Sequence, residues 1–239
     1  MSTAATAAGQ TGVQVFDLAT TTVRALNQAL HDLPPDSSGS VWEVLNPAGD
    51  HAVAVGINAP CIVQIRGHVG YYCAGMNKHA HVTVHGNAGT GLAENMMSGR
   101  VRVTGNASQS AGATGRGGLL VVEGDAAARC GISLKGLDIV VKGSVGHLSA
   151  FMAQRGRLVV CGDAGAALGD SIYEAQIFVR GRVIDLGADC IEKEMRREHL
   201  EALEQLLADA HINLPAASFR RYGSARKLYH FNIDHADAY

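Results

Sequence analysis

The sequence predicts an all-β fold, a single-stranded parallel β-helix of seven equal coils with helical caps at both ends. A glycine follows a short apolar segment seven times, always 19 residues after the previous one: Gly67, Gly86, Gly105, Gly124, Gly143, Gly162 and Gly181. Aliphatic residues stand two and four positions before each glycine, and mostly polar residues stand directly before it. A fixed period of this length is typical of stacked repeats, and the period-two alternation is typical of a half-buried strand.

The columns of the repeat indicate how the coils pack. Two positions before the glycines stand Ile65, Val84, Val103, Val122, Val141, Val160 and Val179, and every copy has Ala or Gly seven positions after its glycine. One strand and one turn cannot bury a core alone, whereas parallel stacking of equivalent strands buries it. A 19-residue coil suits a turn with three short sides. We expect the seven glycines at corners, with positive φ angles and close contact between coils, around a solid core without a ligand cavity.

The flanking segments give the chain three parts. Residues 1–40 are predicted to hold a tail, a short strand over 13–16 and a helix that one of the threonines at 20–22 caps. Residues 41–190 form the β-helix, and strands at 41–45 and 52–55 are predicted to make a hairpin-like cover for the first coil. Residues 191–239 are predicted to form an amphipathic helix over 191–210, acting as a cap or docking on a partner, followed by an interface tail.

Composition restricts the partners and the compartment. The net charge of −2 gives no electrostatic reason to expect nucleic acid or an anionic membrane as a partner. No apolar run is long enough to cross a membrane, and the first residues lack the layout of a signal peptide. Five cysteines without a C-x-x-C pair predict free thiols and a cytoplasmic location.

Candidate chemical groups have simpler structural interpretations. His79, His81 and His85 could form a metal strip, but no cysteine or carboxylate is placed to complete a site. The glycine-rich run at 115–118 fits a tight corner better than an anion loop. Asp163 could form a carboxylate pair with Asp170 or Glu174. Asp163 also occupies the polar corner column, so a role in the turn is simpler. We therefore predict no catalytic, cofactor-binding or metal-binding residue in this chain.

The glycine spacing resembles a known family. Gly67, Gly70 and Gly75, with Gly162, Gly165 and Gly169 in a later coil, resemble the GXGXG domain. That domain is the C-terminal right-handed β-helix of the glutamate synthase large subunit, and it resembles the β-helical subunits of formylmethanofuran dehydrogenase and of the formyltransferase/hydrolase complex. The resemblance covers about residues 40–190 and implies a right-handed β-helix.

Three further features narrow the resemblance to a stand-alone glutamate synthase-like subunit. They are Phe16-Asp17-Leu18 with its helix, the charged helix near 191–210, and the tail over 221–229. Such a subunit is encoded beside a class-II glutamine amidotransferase-like subunit and an FMN-binding synthase subunit. In methylotrophs the three form N-methylglutamate synthase, an oxidoreductase-family enzyme of methylamine metabolism that converts methylamine and glutamate into N-methylglutamate and ammonia.

The resemblance implies a structural subunit of a hetero-oligomer. FMN and iron–sulfur clusters would belong to the partner subunits, and the N-terminal cysteine that glutaminase chemistry needs is replaced here by Met1-Ser2. The basic and aromatic tail is predicted to contact partners through Arg221, Tyr222, Arg226, Lys227 and Tyr229. Two alternatives stay open: the β-helical subunit of a formylmethanofuran dehydrogenase or formyltransferase/hydrolase-type C1 complex, and an independent solenoid enzyme that uses the histidine strip.

Overall fold

The computed structural model describes residues 12–228, and within that range the chain forms one 11-stranded sheet and two α-helices. The strands are β1 Gln14–Asp17, β2 Val41–Leu45, β3 Ile62–Arg66, β4 His81–Val84, β5 Arg100–Val103, β6 Leu119–Val122, β7 Lys135–Val141, β8 Arg155–Val160, β9 Gln176–Val179, β10 Cys190–Lys193 and β11 Arg220–Ser224. The helices are α1 Val23–His31 and α2 Arg197–Asp209, with a 3₁₀ helix at Ala216–Ser218. Strands β1 to β9 pair in parallel in chain order.

The register confirms the predicted parallel β-helix. From β3 to β9 paired residues lie 19 positions apart, as in Val63 opposite Val82, except at the start of β7, where the register shifts after Lys135. A second ladder of isolated parallel bridges joins Val69, Ala88, Ala107, Ala126, Val145, Ala164 and Val183. A third side repeats backbone bonds such as the N–H of Gly112 to the carbonyl of Leu92, at 2.8 Å. The coil therefore has three hydrogen-bonded sides around an interior that side chains fill.

Small residues recur seven positions after the corner glycines because the backbone there is both left-handed and buried. Ala74, Ala93, Gly112, Gly131, Ala150 and Gly169 have φ between 52° and 68° and are buried. The left-handed region disfavours residues with bulky or β-branched side chains. Left-handed residues also stand five and nine positions after the glycines, where Tyr72 and Met76 are exposed and large. The Ala/Gly column therefore marks the left-handed position that is also buried in the narrow interior.

Of the two causes expected for the seven corner glycines, positive φ and close contact between coils, the structure supports the second. Only Gly67 among them has a positive φ, at 141°, so the prediction of left-handed corners is wrong for the other six. The predicted close contact between coils is confirmed, and it is what requires glycine at these positions. A Cβ atom on Gly86 would lie 2.7 Å from the carbonyl oxygen of Gly67, and a Cβ on Gly143 would lie 2.7 Å from that of Gly124.

A polar ladder runs along this corner, one residue after each glycine. The backbone N–H of Asn106 donates to Asn87 Oδ1 at 2.8 Å, and the N–H of Asp125 donates to Asn106 Oδ1 at 2.8 Å. Ser144 and Asp163 continue the ladder, and Asp163 Oδ1 accepts from the N–H of Arg182 at 2.7 Å. The turn role predicted for Asp163 is confirmed, since its carboxylate joins two coils.

The N-terminal segment extends the stack. The predicted strand and helix are confirmed as β1, which pairs in parallel with β2, and α1, whose N-cap Thr22 accepts from the N–H of Ala25. The predicted hairpin is wrong, because β2 pairs in parallel with β3 across a 21-residue coil. Residues 52–55 form a turn in which Ala52 and Ala54 have φ of 56° and 58°, a conformation that no extended strand adopts.

The C-terminal segment reverses direction and closes the sheet. Strand β11 pairs antiparallel with β9, and β10 pairs antiparallel with β11. The helix predicted over 191–210 therefore begins only at Arg197, because residues 190–193 pair with β11 instead. Tertiary strand pairing overrides the local helical pattern there. The antiparallel pair covers the last parallel strand, which would otherwise present an unpaired edge.

Helix α2 lies across the outer face of the same sheet. Leu203, Leu206 and Leu207 pack in one buried cluster with Val140 and Phe178 of the sheet. The guanidinium groups of Arg100 and Arg102 donate to the carbonyls of Asp209 and Ala210 at 2.5 and 2.6 Å, at the helix end where cations are favourable. The apolar side of α2 is thus used within the chain, as a strap over the later coils.

Candidate partner interface

The five predicted interface residues have different environments. Arg221 is half-buried, and its Nε donates to the carbonyl of Glu194 at 3.0 Å. Tyr222 is only 2% exposed and packs in the main core, so its ring is not part of the surface. Arg226 and Lys227 are exposed, and Tyr229 lies outside the described residues. Their contact with a partner stays a prediction, for which Arg226 and Lys227 offer accessible charge.

Asp189 organises the segment that carries those charges. Its carboxylate accepts from the Ser224 hydroxyl at 2.5 Å and from the N–H of Lys227 at 2.9 Å, and its own carbonyl accepts from the N–H of Ala225. The Ser224 hydrogen bond, followed by backbone donors, lowers the pKa of the Asp189 carboxyl. Sequence reasoning missed this residue, because its partners lie 35 and 38 positions away.

Asp189→Ala should release residues 225–228 from the end of the solenoid. We expect faster tryptic cleavage after Arg226 and Lys227, followed by mass spectrometry, with little change in the melting temperature. Asp36→Ala, in an exposed loop, is the control. Because the folded pKa of Asp189 is lowered, the attachment persists at neutral pH and is lost only as the pH falls below its ordinary value of 3.8. Equal cleavage rates for the two variants and the wild type would contradict this assignment.

The histidine strip is held by polar contacts on the outer face. His79 and His81 are exposed, whereas His85 is half-buried with Nε2 2.7 Å from Gln64 Oε1. Burial, and secondly the charge of Arg66, lower the pKa of His85. Within residues 12–228 no group of three or more His, Cys, Asp or Glu residues is placed to hold a metal ion.

The thiols lie inside the solenoid and its caps. All five cysteines are free and buried. Burial raises the pKa of Cys73 and Cys130 to about 12 and that of Cys61 to about 11. Since the thiolate is the nucleophile, these side chains are unreactive at neutral pH.

The remaining candidates also have structural contacts. Gly118 has φ of 92°, and a Cβ there would lie 2.6 Å from the carbonyl oxygen of Gly99, so the run at 115–118 is the predicted tight corner. Glu174 accepts from Arg226 at 2.7 Å, and Asp170 accepts from Ser171 at 2.8 Å. No helix in the described part of the chain is long and apolar enough to cross a membrane.

Comparison with known proteins identifies the family. No family model matches the sequence. The chain is 64% identical over 226 residues to Protein GlxC of Rhizobium meliloti (strain 1021), with 94% of this chain and 99% of the relative covered. The chain belongs to the GlxC family. Because the similarity to GlxC is nearly full-length, family membership includes the N-terminal strand and helix and the C-terminal strap as well as the coils.

Proposed function

We propose that this chain is a non-catalytic structural subunit of a heteromeric, FMN-dependent glutamate synthase-like complex, N-methylglutamate synthase. It would hold the amidotransferase-like and FMN-binding subunits in register, while those subunits carry out the exchange of methylamine for ammonia. The observation that carries the proposal is the solid interior of the seven-coil stack, which points to the surface rather than a cavity as the working part. The GXGXG resemblance and the nearly full-length similarity to GlxC support it.

The construction of the stack suits a rigid spacer. Seven strands at about 4.8 Å make a rod on the order of 34 Å long. Three ladders of backbone bonds and the polar corner ladder join every coil to the next. Transfer of ammonia or an amine between two active sites requires that the sites keep a fixed separation and orientation, which such a rod supplies.

An activity assay tests whether the partner subunits, and not this chain, carry out the reaction. The isolated chain should produce no N-methylglutamate from methylamine and glutamate, whereas the same chain combined with the two other subunits should. Each subunit is omitted from the assay in turn, which shows which subunits the reaction requires. Turnover by the isolated chain would overturn the non-catalytic assignment.

A truncation tests the predicted role of the C-terminal tail. A variant that ends at Leu228 keeps every described residue, including β11 and the Asp189 contacts, and removes Tyr229. We expect it to lose a partner subunit on size exclusion while its circular dichroism spectrum stays rich in β structure. The variant keeps Arg226 and Lys227, so an unchanged complex would refute a partner contact made by Tyr229 and the residues that follow it. A truncated chain that misfolds would lose the β-type spectrum.

A further inference from the structure

Four large apolar side chains are exposed on the loops of two successive coils. Tyr71, Tyr72, Met76 and Met97, here called the Tyr/Met patch, are between 44% and 53% exposed. The Tyr71 ring stacks on His51 with centroids 4.5 Å apart, and the Tyr72 ring lies over Gly91, where an added Cβ would come within 2.8 Å of it. The patch lies on turns away from the sheet face that α2 covers. Large aromatic and methionine side chains that stay exposed together are typical of protein interfaces.

Met97 of this patch also belongs to a row that holds three cations. Lys78, Met97, Arg116 and Lys135 occupy equivalent positions on four successive coils, as their backbone bonds to the preceding coil show. Neighbouring members are therefore about 4.8 Å apart along the stack. The side chains of Lys78, Arg116 and Lys135 make no ion pair or hydrogen bond within residues 12–228. The whole chain has a net charge of −2, so this positive row is a local feature.

We propose that the Tyr/Met patch and the row of Lys78, Arg116 and Lys135 form a docking surface for an acidic, partly apolar segment of a partner subunit. The inference rests on the proposed function and names the chemistry of one interface in that complex. Partner carboxylates would face the three cations, and partner apolar groups would cover the tyrosine rings and methionines. Charge complementarity selects the partner and speeds association, while the buried aromatic contacts supply affinity. Three cations would neutralise too few phosphates for strong nucleic-acid binding.

Charge reversal tests the row directly. Lys78→Glu combined with Arg116→Glu changes two exposed residues, so the melting temperature should stay at the wild-type value. In the purified three-subunit complex, we expect this variant to bind one partner at least about tenfold more weakly. Lys78→Arg with Arg116→Lys should bind normally. The matched control is Lys142→Glu with Arg182→Glu, two exposed cations next to the corner glycines Gly143 and Gly181, which should also bind normally.

The Tyr/Met patch is tested separately, by measuring how partner binding depends on salt concentration. Tyr72→Ser with Met97→Ser should weaken the same partner without changing how its binding depends on salt, whereas charge reversal should flatten that dependence. Wild-type binding by both double variants would overturn this inference and leave the proposed function intact. Partner-free wild-type protein from the native source would overturn both. Bound nucleic acid, or self-association that the charge reversal abolishes, would overturn the choice of an acidic partner segment.

Discussion

Val122→Asp should abolish folding of the chain. Val122 is fully buried in β6 and belongs to the inward column of the coils, paired in register with Val103 and Val141 on the neighbouring strands. A carboxylate there would have no hydrogen-bond donor and no water, and burying an unpaired charge costs several kcal/mol or more. Since the folding free energy of a domain is about 5–15 kcal/mol, we expect insoluble or unfolded protein, seen as loss of the β-type circular dichroism spectrum.

The control for this variant places the same carboxylate on the outside of the stack. Thr104 is exposed, one residue before a corner glycine in the preceding coil. Thr104→Asp should fold and melt as the wild type does. A soluble Val122→Asp protein with a native-like melting transition would show that the inward column is assigned to the wrong face of the strand.

Gly143→Ala should strongly destabilise the fold without changing its charge. The new Cβ would lie 2.7 Å from the carbonyl oxygen and 2.8 Å from the carbonyl carbon of Gly124, and it would also meet the Asp125 carboxylate of the polar ladder. Both obstacles belong to the preceding coil, so two coils would have to separate. Overpacking of this kind costs about 1–3 kcal/mol, and we expect a clear fall in the melting temperature and in the urea midpoint.

Gly39→Ala is the matched control, because a Cβ at Gly39 would meet no atom within 4 Å. It should melt at the wild-type temperature. Equal stability of the two alanine variants would mean that the corner glycines are not set by contact between coils.

The repeated part of the fold could be predicted because every coil requires the same residue types at equivalent positions. The inward valines, the Ala/Gly position with positive φ and the polar corner residues all recur every 19 residues. The sequence alone could not decide between the two causes expected for the corner glycines. The corner glycines avoid a clash with the coil beneath, and a clash across coils leaves the same glycine column as a left-handed conformation.

The C-terminal strands could not be predicted from local pattern. Strands β10 and β11 form by pairing with each other and with β9, so their conformation depends on residues 28 to 45 positions apart. The position of α2 on the sheet is, however, visible in the sequence as a change from polar to apolar residues. Three positions before the glycine, the polar Gln64, Thr83 and Arg102 give way to Val121, Val140, Val159 and Phe178, the outward side chains that α2 covers. Arg102 marks the edge of the area that α2 covers, since its guanidinium donates to the carbonyl of Ala210 at the end of the helix.

Purification of the chain from its native source, under mild conditions, tests the central claim most directly. The proposal predicts a yellow eluate whose FMN absorbance elutes together with this chain, an amidotransferase-like subunit and an FMN-binding subunit, and which forms N-methylglutamate from methylamine and glutamate. A pterin–metal protein in place of the flavoprotein would favour the formyl-transferring C1 complex. A colourless chain that elutes alone would contradict the structural-subunit account and leave the β-helix unaffected.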